Sequence, residues 1–220
     1  MQSETRLVTS SKNLWKDPKF LVELILSFIA LVVSLNVFSH FLDWVELRGG
    51  APLNDPILSV LPPKDVTWYT FVLIYGGIIT AFIACLFQPK HMAIAFQAYT
   101  VMVFVRMIAM YLTPLEAPQA IIILADPFVE FFGTGKPLTR DLFFSGHTST
   151  MFLLFLSAAQ KKVRVALLIG TILVGSFVIW QHVHYSIDVF AALFFSYGAY
   201  RIVINVRKYL SPEDRSDHVH

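Results

Sequence analysis

The chain has 220 residues, of which 56% are hydrophobic, 15% aromatic and 15% charged, with a mean hydropathy of +0.63. Soluble domains are about one quarter charged, and 17 Lys+Arg against 15 Asp+Glu leave a formal +2, no electrostatic footprint for nucleic acid. A soluble globular enzyme and a disordered chain are excluded, as is a disulfide-stapled secreted domain, since Cys85 has no second cysteine to pair with.

Charges cluster in connectors and leave apolar stretches of about 20 residues, enough to cross a bilayer. The expected fold is all-α: a polytopic membrane protein of six transmembrane helices. Residues 1–19 form a polar segment carrying Arg6, Lys12, Lys16 and Lys19. The first helix is expected over Phe20–Leu42; it is too long for a signal-peptide core and no small-x-small cleavage site follows, so it reads as retained. Gly49-Gly50 and Pro52 break the next connector. The second helix is expected over Thr67–Phe87 and, past Pro89, the third over His91–Thr113. Pro114, Pro118, Pro127 and Pro137 punctuate the connector that follows. Within it, Ala120–Phe132 is apolar but too short to span, and reads equally as an interfacial substrate gate or a packed loop. The fourth helix is expected over Leu142–Ala159, with Asp141 where an N-cap belongs. The fifth is expected over Val165–His182 and the sixth over Ser186–Val206. Residues 20–210 thus form one membrane domain, and 211–220 a tail.

The positive-inside rule orients the chain. With the N-terminus cytoplasmic, the inner side holds Arg6, Lys12, Lys16, Lys19, Lys90, Lys161, Lys162, Arg164, Arg207, Lys208 and Arg215, and the outer side only Arg48, Lys64, Lys136 and Arg140. Both termini are therefore expected in the cytoplasm. Trp44, Trp68 and Trp180 then fall at the outer interface and Trp15 at the inner one.

Ionisable groups at membrane depth are costly, so each is a functional candidate. In this topology Arg106 near the end of the third helix, His147 near the start of the fourth, and His184 and Asp188 at the start of the sixth share one depth near the outer leaflet. His184 and Asp188, spaced i, i+4, share a helix face. The carboxylate can hold one ring nitrogen and leave the other as nucleophile or base. His147 supplies a second proton-transfer group. Gly146 allows close backbone approach, and Ser145-Gly146-His147 opens a helix whose free N–H groups suit an anion. The Arg106 guanidinium matches phosphate oxygens. Together these residues describe phosphoryl transfer on the extracytoplasmic side. The bland alternatives are an interfacial Arg106 that snorkels and an Asp188 that only caps its helix. His182, His91 and His40 read as structural, and Glu23 and Arg201 as snorkelling. A metal site on His182, His184 and Asp188 is disfavoured, because the alternating histidines would need strand geometry in a segment that reads helical.

Arg140-Asp141-Leu142-Phe143-Phe144-Ser145-Gly146-His147-Thr148 with His184-Tyr185-Ser186-Ile187-Asp188-Val189 resembles the sphingomyelin synthase branch of the type 2 phosphatidic acid phosphatase superfamily. Arg106-Met107-Ile108-Ala109-Met110-Tyr111 is similar to that branch's third-span motif, and Pro62-Pro63-Lys64-Asp65 to its proline-rich motif. The resemblance implies that His184 attacks the phosphorus of a phospholipid head group, that Asp188 orients it, and that His147 protonates the departing diacylglycerol oxygen before activating a ceramide-like acceptor. It implies no metal and no cofactor. Arg106, Ser145, Gly146, Arg140, Asp141 and Tyr185 make up the implied phosphate- and substrate-binding set. The phosphatase branch is similar to KxxxxxxRP, PSGH and SRxxxxxHxxxD. Here Phe144 replaces the proline, Phe177-Val178 replace Ser-Arg, and KxxxxxxRP is missing, with Lys136, Arg140 and Arg106 as the cations in its place. The rival readings are a hydrolase with water as acceptor and a lipid-binding or transport protein without catalysis.

Overall fold

The computed structural model describes residues 14–124 and 138–210. Helix α1 (Pro18–Leu47) starts where the Asp17 carboxylate accepts from the Lys19 N–H at 2.9 Å and Pro18 takes the first helical position, a position that loses nothing by lacking an N–H. The same Asp-Pro device starts the short α2 (Pro56–Val60), which the hydrophobic pattern does not announce. There follow α3 (Thr67–Leu86), α4 (Pro89–Leu112), α5 (Gly146–Ser157), α6 (Lys161–Trp180) and α7 (Ser186–Leu210). Among the described residues the only extended pairing is one parallel bridge, Ala51 with Leu115, which joins the α2 loop to the loop after α4.

Five helices, α1, α3, α4, α6 and α7, are long and apolar enough to cross a membrane. Their outward faces are apolar: Ile25, Leu26, Ile29, Val33, Ile79, Phe82, Ile169 and Ile172 are each at least half exposed, which suits acyl chains rather than water. The fourth expected helix is the exception. It runs over Gly146–Ser157 instead of Leu142–Ala159, and its 12 residues span about 18 Å against about 30 Å of hydrocarbon. Leu142 and Phe144 are apolar because they are buried at 2% and 0% exposure, and apolar content alone does not distinguish a buried turn from a helix. Nor does Asp141 cap this helix. Ser145 does, its hydroxyl accepting from the Thr148 N–H.

The short helix is the centre of the bundle. α5 packs on α3, α4, α6 and α7, while α1 packs on α4. Met151 of α5 wedges between Gly77 of α3 and Gly170 of α6; a Cβ there would lie 2.7 and 2.6 Å from the methionine side chain. Small residues at these crossings let helices approach closely where no solvent drives them together. His91 closes the far end of α5, its Nδ1–H donating to the Ser157 carbonyl at 3.0 Å. Beside it, Arg207 of α7 pairs with Glu23 of α1 and donates to Gln97 of α4 at 3.0 Å, and Gln97 donates to Glu23 and Ser27. Glu23 is thus a tie between three helices rather than a snorkelling side chain.

Candidate functional site

The turn from α6 to α7 sets the position of His184. Helix α6 ends in a double hydrogen-bonded cap: Val183 N–H donates to Val178 O at 3.0 Å and His182 N–H to Ile179 O at 2.9 Å. His182 occupies the left-handed position with φ 57°, where glycine is usual because other residues strain there. Its Nε2–H donates to Leu61 O at 2.8 Å, so His182 is structural, as the sequence indicates. The chain reverses here and delivers His184, 2% exposed, beside fully buried Asp188. His184 Nδ1 lies 3.3 Å from Asp188 Oδ2, which also accepts from the Tyr185 N–H at 3.1 Å. Asp188 Oδ1 is buried without a protein partner among the described residues.

The other half of the site is the start of α5. Ser145 N–H donates to the backbone carbonyl of Asp188 at 3.1 Å, stitching the two helix starts together. The His147 and His184 rings lie opposite one another edge-on, with centroids 6.5 Å apart and planes inclined by 63°. Arg106 reaches this point from α4, six residues before its end and so about 9 Å below it. Arg106 is 6% exposed. Its Nε–H donates to Phe144 O at 2.8 Å and its Nη2 to Asp141 Oδ1 at 2.7 Å. The guanidinium lies on Gly146, where a Cβ would meet it at 2.6–2.9 Å. Non-helical backbone at this depth requires internal partners, and Arg106 and Asp188 supply them to residues 144 and 145.

Arg140 and Tyr185 lie beside these residues, Tyr185 buried and Arg140 partly exposed. The Arg140 guanidinium pairs with Glu116 at 3.1–3.2 Å and donates to Glu46 O at 2.7 Å, while the Glu46 carboxylate accepts from the N–H groups of Thr139 and Arg140. Hydrogen bonds from the Gly50 N–H and then from Arg140 hold the Glu116 carboxyl below its ordinary value. The Tyr185 hydroxyl donates to Glu116 O at 3.0 Å and accepts from the Leu53 N–H at 3.2 Å. In this arrangement Arg140, Asp141 and Tyr185 are each engaged by protein groups.

The fold therefore brings Arg106, Ser145, Gly146, His147, His184 and Asp188 together, with Asp141 behind Arg106. Sequence reasoning missed Asp55, Glu46, Glu116 and the buried Gln181, which accepts from the Val66 N–H and donates to Thr67. Of these only Asp55 carried a local signal, the Asp-Pro pair that starts α2. The segment Ala120–Phe132, which reads equally as a gate or a packed loop, lies largely outside the described residues, and Lys136 lies outside them too. Among the described residues, no three His, Cys, Asp or Glu side chains are grouped to hold a metal ion.

No curated protein shows a significant match to this chain. Residues 140–205 match the family described as PAP2 superfamily C-terminal. That interval runs from Arg140 to near the end of α7 and contains both facing histidines and Asp188, but not Arg106. Over these residues the chain is similar to the C-terminal region of the type 2 phosphatidic acid phosphatase superfamily.

Proposed function

We propose that this protein is a membrane lipid phosphotransferase of the sphingomyelin synthase type, moving a phospho-head-group from a glycerophospholipid to a ceramide-like acceptor on the extracytoplasmic side. The observation that carries the reading is the facing pair His147 and His184, 6.5 Å apart by ring centroid, with Asp188 on the Nδ1 side of His184. That separation lets one phosphoryl group touch both rings.

With Nδ1 held by Asp188, Nε2 of His184 is the nucleophile. It forms an N–P bond as the P–O bond to diacylglycerol breaks, and protonated His147 gives its proton to the departing oxygen. The buried Asp188 carboxylate stabilises the positive charge that develops on the His184 ring. Neutral His147 then takes the proton of the acceptor hydroxyl, the acceptor oxygen attacks phosphorus, and the N–P bond breaks. Both histidines return to their starting states, and no cofactor enters. Arg106 and the α5 N-terminus place positive potential at the phosphoryl oxygens.

The test is reconstitution in vesicles containing phosphatidylcholine, phosphatidylethanolamine and phosphatidic acid with a fluorescent ceramide. A new phosphosphingolipid, absent with His184→Ala, is the expected result and names the head-group donor. The family match is to the superfamily's C-terminal region and fits transfer and hydrolysis alike, so the second reading is a hydrolase with water as acceptor. Diacylglycerol released without a ceramide product identifies that case. Turnover retained by His184→Ala removes both readings.

A further inference from the structure

We propose that Asp55 is a positioning residue for His184: from the start of α2, its carboxylate fixes the first turn of α7 and with it the register of the His184–Asp188 pair. The kinetic consequences rest on the phosphotransfer reading above; the structural content does not.

Asp55 is 9% exposed and joins two helix starts. Oδ1 accepts from the Ile57 and Leu58 N–H groups at 2.9 and 3.3 Å, capping α2. Oδ2 accepts from the Ser186 N–H at 2.6 Å and the Ser186 hydroxyl at 2.8 Å, capping α7. The first N–H groups of a helix have no partner inside it, so α7 depends on this carboxylate to settle its first turn. The same loop grips the turn twice more, through Leu61 O on His182 and the Leu53 N–H on Tyr185. Residues 182, 185 and 186 are thus all tied to residues 53–61, and His184 sits between the ties.

The His184–Asp188 contact has little slack. At 3.3 Å it is already long for an N–H···O bond, and a small rotation of the turn breaks it. A cavity of about 440 Å³ borders Asp55, His182 and Tyr185, but Asp55 is not a ligand group for it. An ionised carboxylate has about four acceptor sites, and four donors already fill them.

Asp55→Asn in the purified full chain is the informative variant. Asparagine caps a helix about as well as aspartate, so α2 keeps its cap through the remaining carbonyl oxygen. The amide nitrogen cannot accept from the Ser186 N–H, so that bond to the first turn of α7 is lost and only a reversed contact to the Ser186 hydroxyl is left. We expect kcat to fall about tenfold or more with KM within about twofold, the signature of misplaced catalytic groups rather than weaker binding. Ser186→Ala, which removes one of the two donors, loses less in the same direction. In spectra of [15N]histidine-labelled protein, the His184 Nδ1–H resonance, identified by its absence in His184→Ala, moves or broadens in Asp55→Asn. Wild-type kcat with an unmoved His184 resonance overturns the proposal. So does a loss of turnover that only follows the folded fraction while that resonance stays in place. If His184→Ala itself turns over, the phosphotransfer reading fails, and the resonance alone decides whether Asp55 positions His184.

Discussion

Gly146 shows how little room the site leaves. The Arg106 guanidinium occupies the space where any side chain at 146 would begin, 2.6–2.9 Å from a built Cβ, and from there it holds Asp141 and the Phe144 carbonyl. Gly146→Ala therefore forces the guanidinium out of both bonds. The expected loss is about 1–3 kcal/mol of stability, the usual range for overpacking a filled site, with turnover reduced about tenfold or more as the start of α5 shifts. Gly198→Ala, where a Cβ meets nothing within 4 Å, is the control and should leave both unchanged or slightly improved. Thermal melting and turnover of the two variants, measured side by side, check the claim.

Helix starts at the site end of the bundle are held by carboxylates, and this makes them sensitive to acid. Burial pushes the Asp55 carboxyl up, but the bonds from Ser186, Ile57 and Leu58 outweigh it and leave it below its ordinary value. The Thr67 N–H lowers Asp65 at the start of α3, and Gly50 and Arg140 lower Glu116. Because each folded-state pKa lies below the unfolded one, the stability these groups contribute is complete above their ordinary values of about 4. It is lost as pH falls through the lower folded-state values. The melting temperature should therefore hold from neutral pH down to about 4 and drop below it. Asp55→Asn, with one titrating carboxylate fewer, should drop less steeply. A melting curve unchanged at low pH removes this role for the carboxylates.

Across the whole molecule, polar ties sit at both ends of an apolar bundle. At the end away from the histidines, Glu23, Gln97 and Arg207 join α1, α4 and α7, with the Arg207 and Glu23 side chains 17% and 38% exposed. Glu23→Ala leaves the guanidinium with Gln97 alone, at a cost of about 1–3 kcal/mol given this partial burial. Turnover per folded molecule should not change, because α5 separates this cluster from the histidine pair. Replacing the pair together, as Glu23→Leu with Arg207→Met, should restore part of the melting temperature, since the double variant leaves no charge without its partner. Equal losses in the single and double variants would show that the tie contributes nothing as a pair.

Hydrophobic runs and helix signals are local properties, and what they encode was legible in the chain: five of the six expected long apolar helices, and His184 with Asp188 on one face four residues apart. The shared depth of Arg106, His147 and His184 followed from counting crossings. The length of α5 did not, because Leu142 and Phe144 are apolar for burial in a turn and carry no mark that separates them from a helix. The bracing of the site was equally silent. Asp141 lies 35 residues from Arg106 and Asp55 lies 131 residues from Ser186, and spacing rules end within a turn or two of helix. Which carboxylate meets which donor is settled only when helices pack, since burial then obliges each polar group to find a partner wherever the fold has placed one. The sequence by itself determined a membrane-spanning helical protein with a histidine pair at one level; the tertiary structure decided which residues hold that pair in place.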